Sequence, residues 1–301
     1  MTPSYPSTFD TVFIAGGTHG NERTGIALVR HWQQNPAEVA RSGFATRLLL
    51  ANPEAIRENR RFIDGDLNRS FRSADQVGDA VAPYEIRRAR EIAAWMASEA
   101  MGQRTFAIDL HTSTACMGVT LITNSDPLNL AIAAALQDEV PEARIYSFPE
   151  GDRINTCLRS AAHGGLGIEI GPIPQGVVRH DTLDTTRTVV QKALDVVQAF
   201  NRGALRPPDE RREIFRHEGN VAYPKVAPGA PPAFVHRDLQ GRDYAPLKTG
   251  QPLFQDLAGR TWWYEGPETR YPVFINEAAY YYENIAFSLT RRISLASLIA
   301  F

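Results

Sequence analysis

The sequence predicts an α/β protein: a mostly parallel sheet flanked by helices, followed by a smaller β-rich C-terminal domain. Two patterns carry that expectation. Through the first two-thirds of the chain, short apolar runs alternate with segments of helical periodicity. Strands alternating with helices imply a parallel sheet covered on both faces. Beyond Asn201 the composition shifts. Arg206-Pro207-Pro208 interrupts regular structure, a charged stretch follows, and prolines from Pro224 to Pro272 punctuate short apolar runs, as in a domain of short strands and turns. The expected units are residues 1–205 and residues 206–301.

In order, residues 11–17 form an apolar run ending in glycines and read as a buried strand. Residues 24–34 place Ile26, Leu28, Val29 and Trp32 at helical spacing. A second strand is expected at 45–51. A helix at 83–100 turns Ile86, Ile92 and Trp95 inward. Strands follow at 105–110 and 119–123, a helix at 127–140, and strands at 144–148 and 166–170. The long helix at 181–200 has Val189, Val190, Leu194 and Val197 on its apolar face.

The formal net charge is −2, which argues against a nucleic-acid or membrane-surface reader. Of 32 basic residues only Lys192, Lys225 and Lys248 are lysines, so some arginines are candidate recognition groups. Cys116 and Cys157 form no CxxC and are too few for a disulfide scaffold; a cytoplasmic location is expected. Residues 1–10 lack the basic and apolar regions of a signal peptide, and no run approaches the roughly 18 apolar residues of a membrane span.

The polar residues gather at strand ends. Gly16-Gly17-Thr18-His19-Gly20-Asn21-Glu22 follows the first strand, and ligands of open α/β sheets bind beyond the carboxyl ends of strands. Imidazole and carboxylate are both zinc ligands. The plainer alternative is a histidine bonding its own loop. The strand Phe106-Ala107-Ile108-Asp109-Leu110-His111 turns polar at its end, and its Asp and His, two apart, point to one side. A buried Asp needs a partner, and metal-binding histidines commonly use a carboxylate as orienter. His19, Glu22 and His111 thus form a two-histidine, one-carboxylate set with an open fourth position, the catalytic zinc pattern. Glu169 lies in the apolar strand Gly167-Ile168-Glu169-Ile170-Gly171-Pro172. It reads either as an edge residue facing water or as a general base. The loop 60–71 holds arginines that are either solvated or forks for carboxylates.

Taken together these motifs resemble the aspartoacylase family of zinc amidohydrolases, relatives of the zinc carboxypeptidases. The resemblance rests on Gly17-Thr18-His19-Gly20-Asn21-Glu22, Asp64-Gly65-Asp66-Leu67-Asn68-Arg69-Ser70-Phe71, Asp109-Leu110-His111 and Gly167-Ile168-Glu169-Ile170-Gly171-Pro172. Pro174-Gln175-Gly176-Val177 and Tyr271-Pro272-Val273-Phe274-Ile275-Asn276-Glu277-Ala278-Ala279-Tyr280-Tyr281 follow in order, so it spans roughly residues 13–290. It implies a zinc-carboxypeptidase-like sheet and one Zn2+ per subunit held by His19, Glu22 and His111. It also implies Glu169 as general acid/base and Arg61 at the scissile carbonyl. Asn68 and Arg69 would hold the substrate's α-carboxylate and Arg159 an aspartate side chain, with Tyr280 supplied by the C-terminal domain. Two positions depart from the family. Asn155 stands where aspartoacylases carry a pocket-lining tyrosine, which bears on substrate preference, and Thr112 stands where Asn usually follows the third ligand.

The expected reaction is therefore hydrolysis of N-acetyl-L-aspartate to acetate and L-aspartate. Within the class the rivals are an N-acyl-aromatic-amino-acid acylase and a succinylglutamate desuccinylase; outside it stands a non-catalytic acyl-amino-acid binder. The expected partner is a small N-acyl amino acid, with no nucleic acid or membrane, in a homo-oligomer such as a dimer.

Overall fold

The structure, a computed structural model, describes residues 8–71, 82–149, 156–225 and 232–298. Six strands form the catalytic half: β1 (Thr11–Gly16), β2 (Ala45–Leu50), β3 (Thr105–Thr112), β4 (Gly118–Thr123), β5 (Arg144–Ser147) and β6 (Gly164–Gly171). Helices α1 (Arg23–Gln34), α2 (Pro53–Glu58), α3 (Tyr84–Ala100), α4 (Pro127–Glu139) and α5 (His180–Asn201) connect or follow them. The expected strands and long helices appear within a residue or two of their anticipated bounds. The short helix α2 was not anticipated. Its apolar content, Ala55 and Ile56, is too small to show a period, and only Asn52 and Pro53 mark its start.

Beyond Asn201 lie β7 (Glu213–Ala222), β8 (Ala233–Val235), β9 (Pro252–Asp256), β10 (Thr261–Trp263), β11 (Tyr271–Val273) and β12 (Ile285–Ser294). The β-rich character is as expected, but these strands divide between two sheets. β7, β12 and β11 extend the large sheet, whose order is β11-β12-β7-β5-β4-β6-β3-β1-β2, while β10-β9-β8 form a separate three-stranded sheet. β7 runs parallel to β5 through Tyr146–Phe215 and Ser147–Arg216. It thereby pairs the edge that β5 would otherwise leave open.

Alternation along β1 shows how the layers assemble. Val12 and Ile14 pack with Leu28 and Trp32 of α1, Leu136 of α4 and Leu194 of α5. Phe13 and Ala15 face the other way, onto Ala89, Ile92 and Met96 of α3. Each fully buried aliphatic or aromatic side chain contributes about 1.5–3 kcal/mol of apolar burial. β3 and β6 are central and buried along nearly their whole length. They lie parallel and in register, with Ala107 opposite Gly165, Asp109 opposite Gly167 and His111 opposite Glu169. Side chains at these positions therefore share one face.

Candidate active site

The carboxyl ends of β1, β3 and β6 meet at one point. The turn after β1 carries His19 and Glu22, with Glu22 at the N-cap position of α1. That turn packs directly on α2: a Cβ at Gly20 would fall 2.0 Å from the Ala55 carbonyl carbon, so only glycine fits. His19 Nδ1 lies 2.6 Å from Glu22 Oε1, and His111 Nδ1 lies 2.9 Å from Glu22 Oε2. The Nε2 atoms face other carboxylates, His19 to Asp66 Oδ1 at 3.1 Å and His111 to Asp109 Oδ2 at 2.8 Å. Each imidazole thus turns one nitrogen to the shared centre and is steered through the other. One donor atom from each of His19, Glu22 and His111 lies within 4.8 Å of the others, and all three residues are buried. Two imidazoles and a carboxylate converging this closely fit a divalent ion such as zinc.

The charges of the site hold one another. Burial alone would raise the Glu22 carboxyl, but His19 and His111 keep it far below the usual carboxylate range. Asp66 behaves alike: burial opposes ionisation, while His19, Arg61 and Arg69 hold it well below its ordinary value. His111 shows the converse, since burial lowers it but Asp109 and Glu22 raise it well above an ordinary imidazole. Arg61 donates to Glu22 Oε1 at 3.2 Å and Asp66 Oδ2 at 3.1 Å, and its buried Nε has no hydrogen-bond partner among the described residues.

Glu169 differs in kind. Its strand lies between β4 and β3, so the edge-strand alternative is excluded. Burial and the nearby Glu22 charge push its carboxyl well above the usual range, against His111 and Arg61. It lines one cavity together with His19, Glu22, His111, Arg61 and Tyr280.

Arg69 and Arg159 line the same cavity. Arg159 sits on the 3-10 turn Leu158–Ala161 and extends along β6 over two glycines. A Cβ built on Gly165 would lie 3.3 Å from Arg159 Cβ, and one on Gly167 would lie 3.7 Å from Arg159 Cζ. These glycines form a trough that lays the guanidinium on the strand one register step from Glu169. The glycine-rich alternation at 165 and 167 is the sequence signal of that trough. Arg159 donates to the Ile122 carbonyl at 2.8 Å, and Arg69 to the Asn68 carbonyl at 2.9 Å. Among the described residues neither has a carboxylate at ion-pair distance, and they act on Asp66 and Asp109 only through longer-range charge.

Asn68 is largely committed to the scaffold. Its Oδ1 accepts from Leu158 N at 2.9 Å, and its Nδ2 donates to Asp109 Oδ2 at 3.3 Å. Thr112, the second departure, offers its backbone N–H to Glu22 Oε2 at 3.2 Å. Tyr280 lies on the 3-10 turn Ala278–Glu283, buried against Phe274 at a ring distance of 5.5 Å. Asn155 lies outside the described residues.

Sequence reasoning assigned no role to Glu277. Its Oε2 accepts from Thr114 N at 2.7 Å, Thr114 Oγ1 at 3.0 Å and Ala115 N at 3.2 Å, and from the Ser113 hydroxyl. Its Oε1 caps the turn that carries Tyr280, accepting from Ala279 N at 3.1 Å. One carboxylate thus ties that turn to the loop just beyond His111. Nothing near Glu277 in the chain signals this partner loop.

Fold and site together define an amide-hydrolysing deacylase, and comparison with known proteins points to the same class. Residues 8–197 match the family model described as the succinylglutamate desuccinylase/aspartoacylase catalytic domain, and residues 210–292 match the AstE/AspA barrel-sandwich hybrid domain. The chain belongs to the succinylglutamate desuccinylase/aspartoacylase family. It is similar to the human N-acyl-aromatic-L-amino acid amidohydrolase (carboxylate-forming), 41% identical over 93% of this chain and 90% of that protein. It is also similar to a probable aspartoacylase of Acaryochloris marina, 39% identical over 93% and 95%. The crystal structure of murine aminoacylase 3 superimposes with a TM-score of 0.86, at 37% identity over 96% of this chain and 97% of the other.

Proposed function

We propose that this protein is a zinc-dependent aspartoacylase that hydrolyses N-acetyl-L-aspartate to acetate and L-aspartate. One observation carries the choice of substrate. Arg159 lies in the glycine trough of β6 with no carboxylate at ion-pair distance among the described residues, beside a cavity that also receives Arg69. A guanidinium fork matches a carboxylate through paired hydrogen bonds, and a substrate with two carboxylates uses both arginines.

His19, Glu22 and His111 would hold the metal, which when bound supplies Lewis acidity and makes a water nucleophilic near neutral pH. The remaining steps belong to side chains. Glu169, raised by burial and by Glu22, is suited to take the proton from the attacking water at its carboxylate. It then returns that proton to the leaving nitrogen. Arg61 has a buried Nε–H, unpaired among the described residues, with which to meet the developing oxyanion, an electrostatic contribution of about 3 kcal/mol. Arg69 and Asn68 flank the α-carboxylate, and Tyr280 closes the cavity from the C-terminal side. Residues 1–205 form the catalytic unit and residues 206–301 the unit that narrows its entrance. The free Cys116 and Cys157 support a reducing, cytoplasmic setting. Among the described residues no helix is long and apolar enough to cross a membrane.

A second reading, an acylase for N-acyl aromatic amino acids, draws support from the apolar walls Ile122, Phe148 and Phe274 of the same cavity. Side-by-side kcat/KM for acetylaspartate, acetylphenylalanine and succinylglutamate on zinc-loaded protein separates the readings. Acetylaspartate is expected first, and Arg159→Ala is expected to reduce its turnover far more than that of acetylphenylalanine. A preference for acetylphenylalanine would overturn the assignment.

A further inference from the structure

We propose that Glu85, outside the cavity, is a positioning residue that holds the loop bearing Arg61, Asp66, Asn68 and Arg69 in its working shape. It sits in the first turn of α3 and is fully buried. Three successive backbone N–H groups converge on its carboxylate: Ile63 at 2.7 Å, Asp64 at 3.0 Å and Gly65 at 3.1 Å. A concave run of N–H groups is an anion-binding arrangement, and here the anion comes from the chain itself. Asn52 Nδ2 adds a fourth donor at 3.2 Å.

The geometry points outward to the site on both sides. Residues 61–66 lie outside helix and strand, so their N–H groups must find partners elsewhere. Just before the clamped segment, the Arg61 carbonyl accepts from Gly20 N at 3.2 Å, beside His19. Just after it, Asp66 Oδ1 accepts from Asn68 N at 2.8 Å and starts the 3-10 turn Leu67–Arg69. The loop answers the clamp, since Asp64 Oδ2 accepts from Tyr84 N at 2.7 Å. Asn52 links the clamp to the β1 exit, its own N–H donating to the Gly17 carbonyl at 3.1 Å. Glu85 therefore sets the spacing between the loop of Arg61 and the turn of His19 and Glu22. A buried carboxylate is tolerated only when hydrogen-bonded, and hydrogen bonds to an ionised group are about twice as strong as neutral ones.

The consequence for turnover rests on the roles given above to Arg61, Asn68 and Arg69. Glu85→Gln keeps the shape but turns one acceptor into an NH2 that opposes a backbone N–H. With zinc in excess its content should stay at one per chain, because His19, Glu22 and His111 lie on other segments and only Asp66, which steers His19, sits on the clamped loop. With whichever N-acyl amino acid the wild type prefers, kcat/KM should fall by ~10²-fold, as expected for a displacement of about 1 Å at a catalytic group. The loss should divide between a lower kcat, through Arg61, and a higher KM, through Asn68 and Arg69. Glu85→Asp, one methylene shorter, should lose roughly tenfold and covers the case in which the Gln variant does not fold. A zinc-loaded variant with a lower Tm but wild-type kcat and KM would overturn the proposal. A wild type that turns over acetylphenylalanine but not acetylaspartate would overturn the substrate reading and leave this test intact.

Discussion

Asp109→Asn tests whether a buried carboxylate sets the metal-binding face of His111. In the structure Asp109 is fully buried and its two oxygens serve three donors. Oδ1 accepts from Thr18 Oγ1 at 2.7 Å, while Oδ2 meets His111 Nε2 at 2.8 Å and Asn68 Nδ2 at 3.3 Å. That contact keeps the proton on Nε2 and leaves Nδ1 to the shared centre. Asparagine has one oxygen. Two donors compete for it on the His111 side, whereas the Thr18 hydroxyl can rotate and accept. The oxygen should therefore remain toward His111, so the variant loses the charge and keeps the hydrogen bond. Loss of an outer-shell partner costs 10–100-fold in metal affinity, so the zinc Kd should rise about tenfold in Asp109→Asn, about 1.4 kcal/mol. Asp109→Ala removes the hydrogen bond as well and should approach about a hundredfold, about 2.7 kcal/mol. Competition for zinc against a chromogenic chelator at fixed pH measures both. If Asp109→Asn holds zinc as tightly as the wild type, the carboxylate does not orient His111 and the reasoning fails.

Three other outcomes are expected. Glu277→Gln should lower kcat/KM by about tenfold or more at unchanged zinc content, because it weakens the ties between Thr114, Ala115 and the Tyr280 turn; a variant with wild-type kinetics would dismiss this role. Gly167→Val would push its γ-carbons into Ile122 and the Arg159 guanidinium. Acetylaspartate should then lose at least about tenfold more kcat/KM than acetylphenylalanine, about 1.4 kcal/mol, and equal losses would argue against the trough. Burial pushes the Asp243 carboxyl up to about 6 from 3.8, despite the backbone donors of Ile275 and Cys116. The folded state therefore holds this proton more tightly than the unfolded chain. Its contribution is fully present below the unfolded value and is lost as pH rises through about 6, a change of about 3 kcal/mol. Denaturant unfolding of Asp243→Asn should lack that slope between about pH 4 and pH 7; parallel profiles for variant and wild type would refute it.

Much of the catalytic half is legible in the chain because its information is local. A strand buried on both faces is a continuous apolar run, so His19, Glu22, His111 and Glu169 stand out as polar residues at or near strand ends. The two-residue step from Asp109 to His111 likewise yields a pair on one face, and the structure adds the 2.8 Å contact. Other features depend on partners far away in sequence. Glu277 reads as one acidic residue among many until folding brings it to Thr114, 163 residues earlier. Glu85 looks like an ordinary acidic residue in a first helical turn, yet its carboxylate is spent on a loop 20–22 residues back. β7 carries no mark that it will pair with β5, since an open edge accepts any strand of suitable length and pattern. Alternation and turn chemistry act between neighbours and can be read along the chain. The pairing of a buried charge with its donors is decided only when the packed layers leave it no water to turn to.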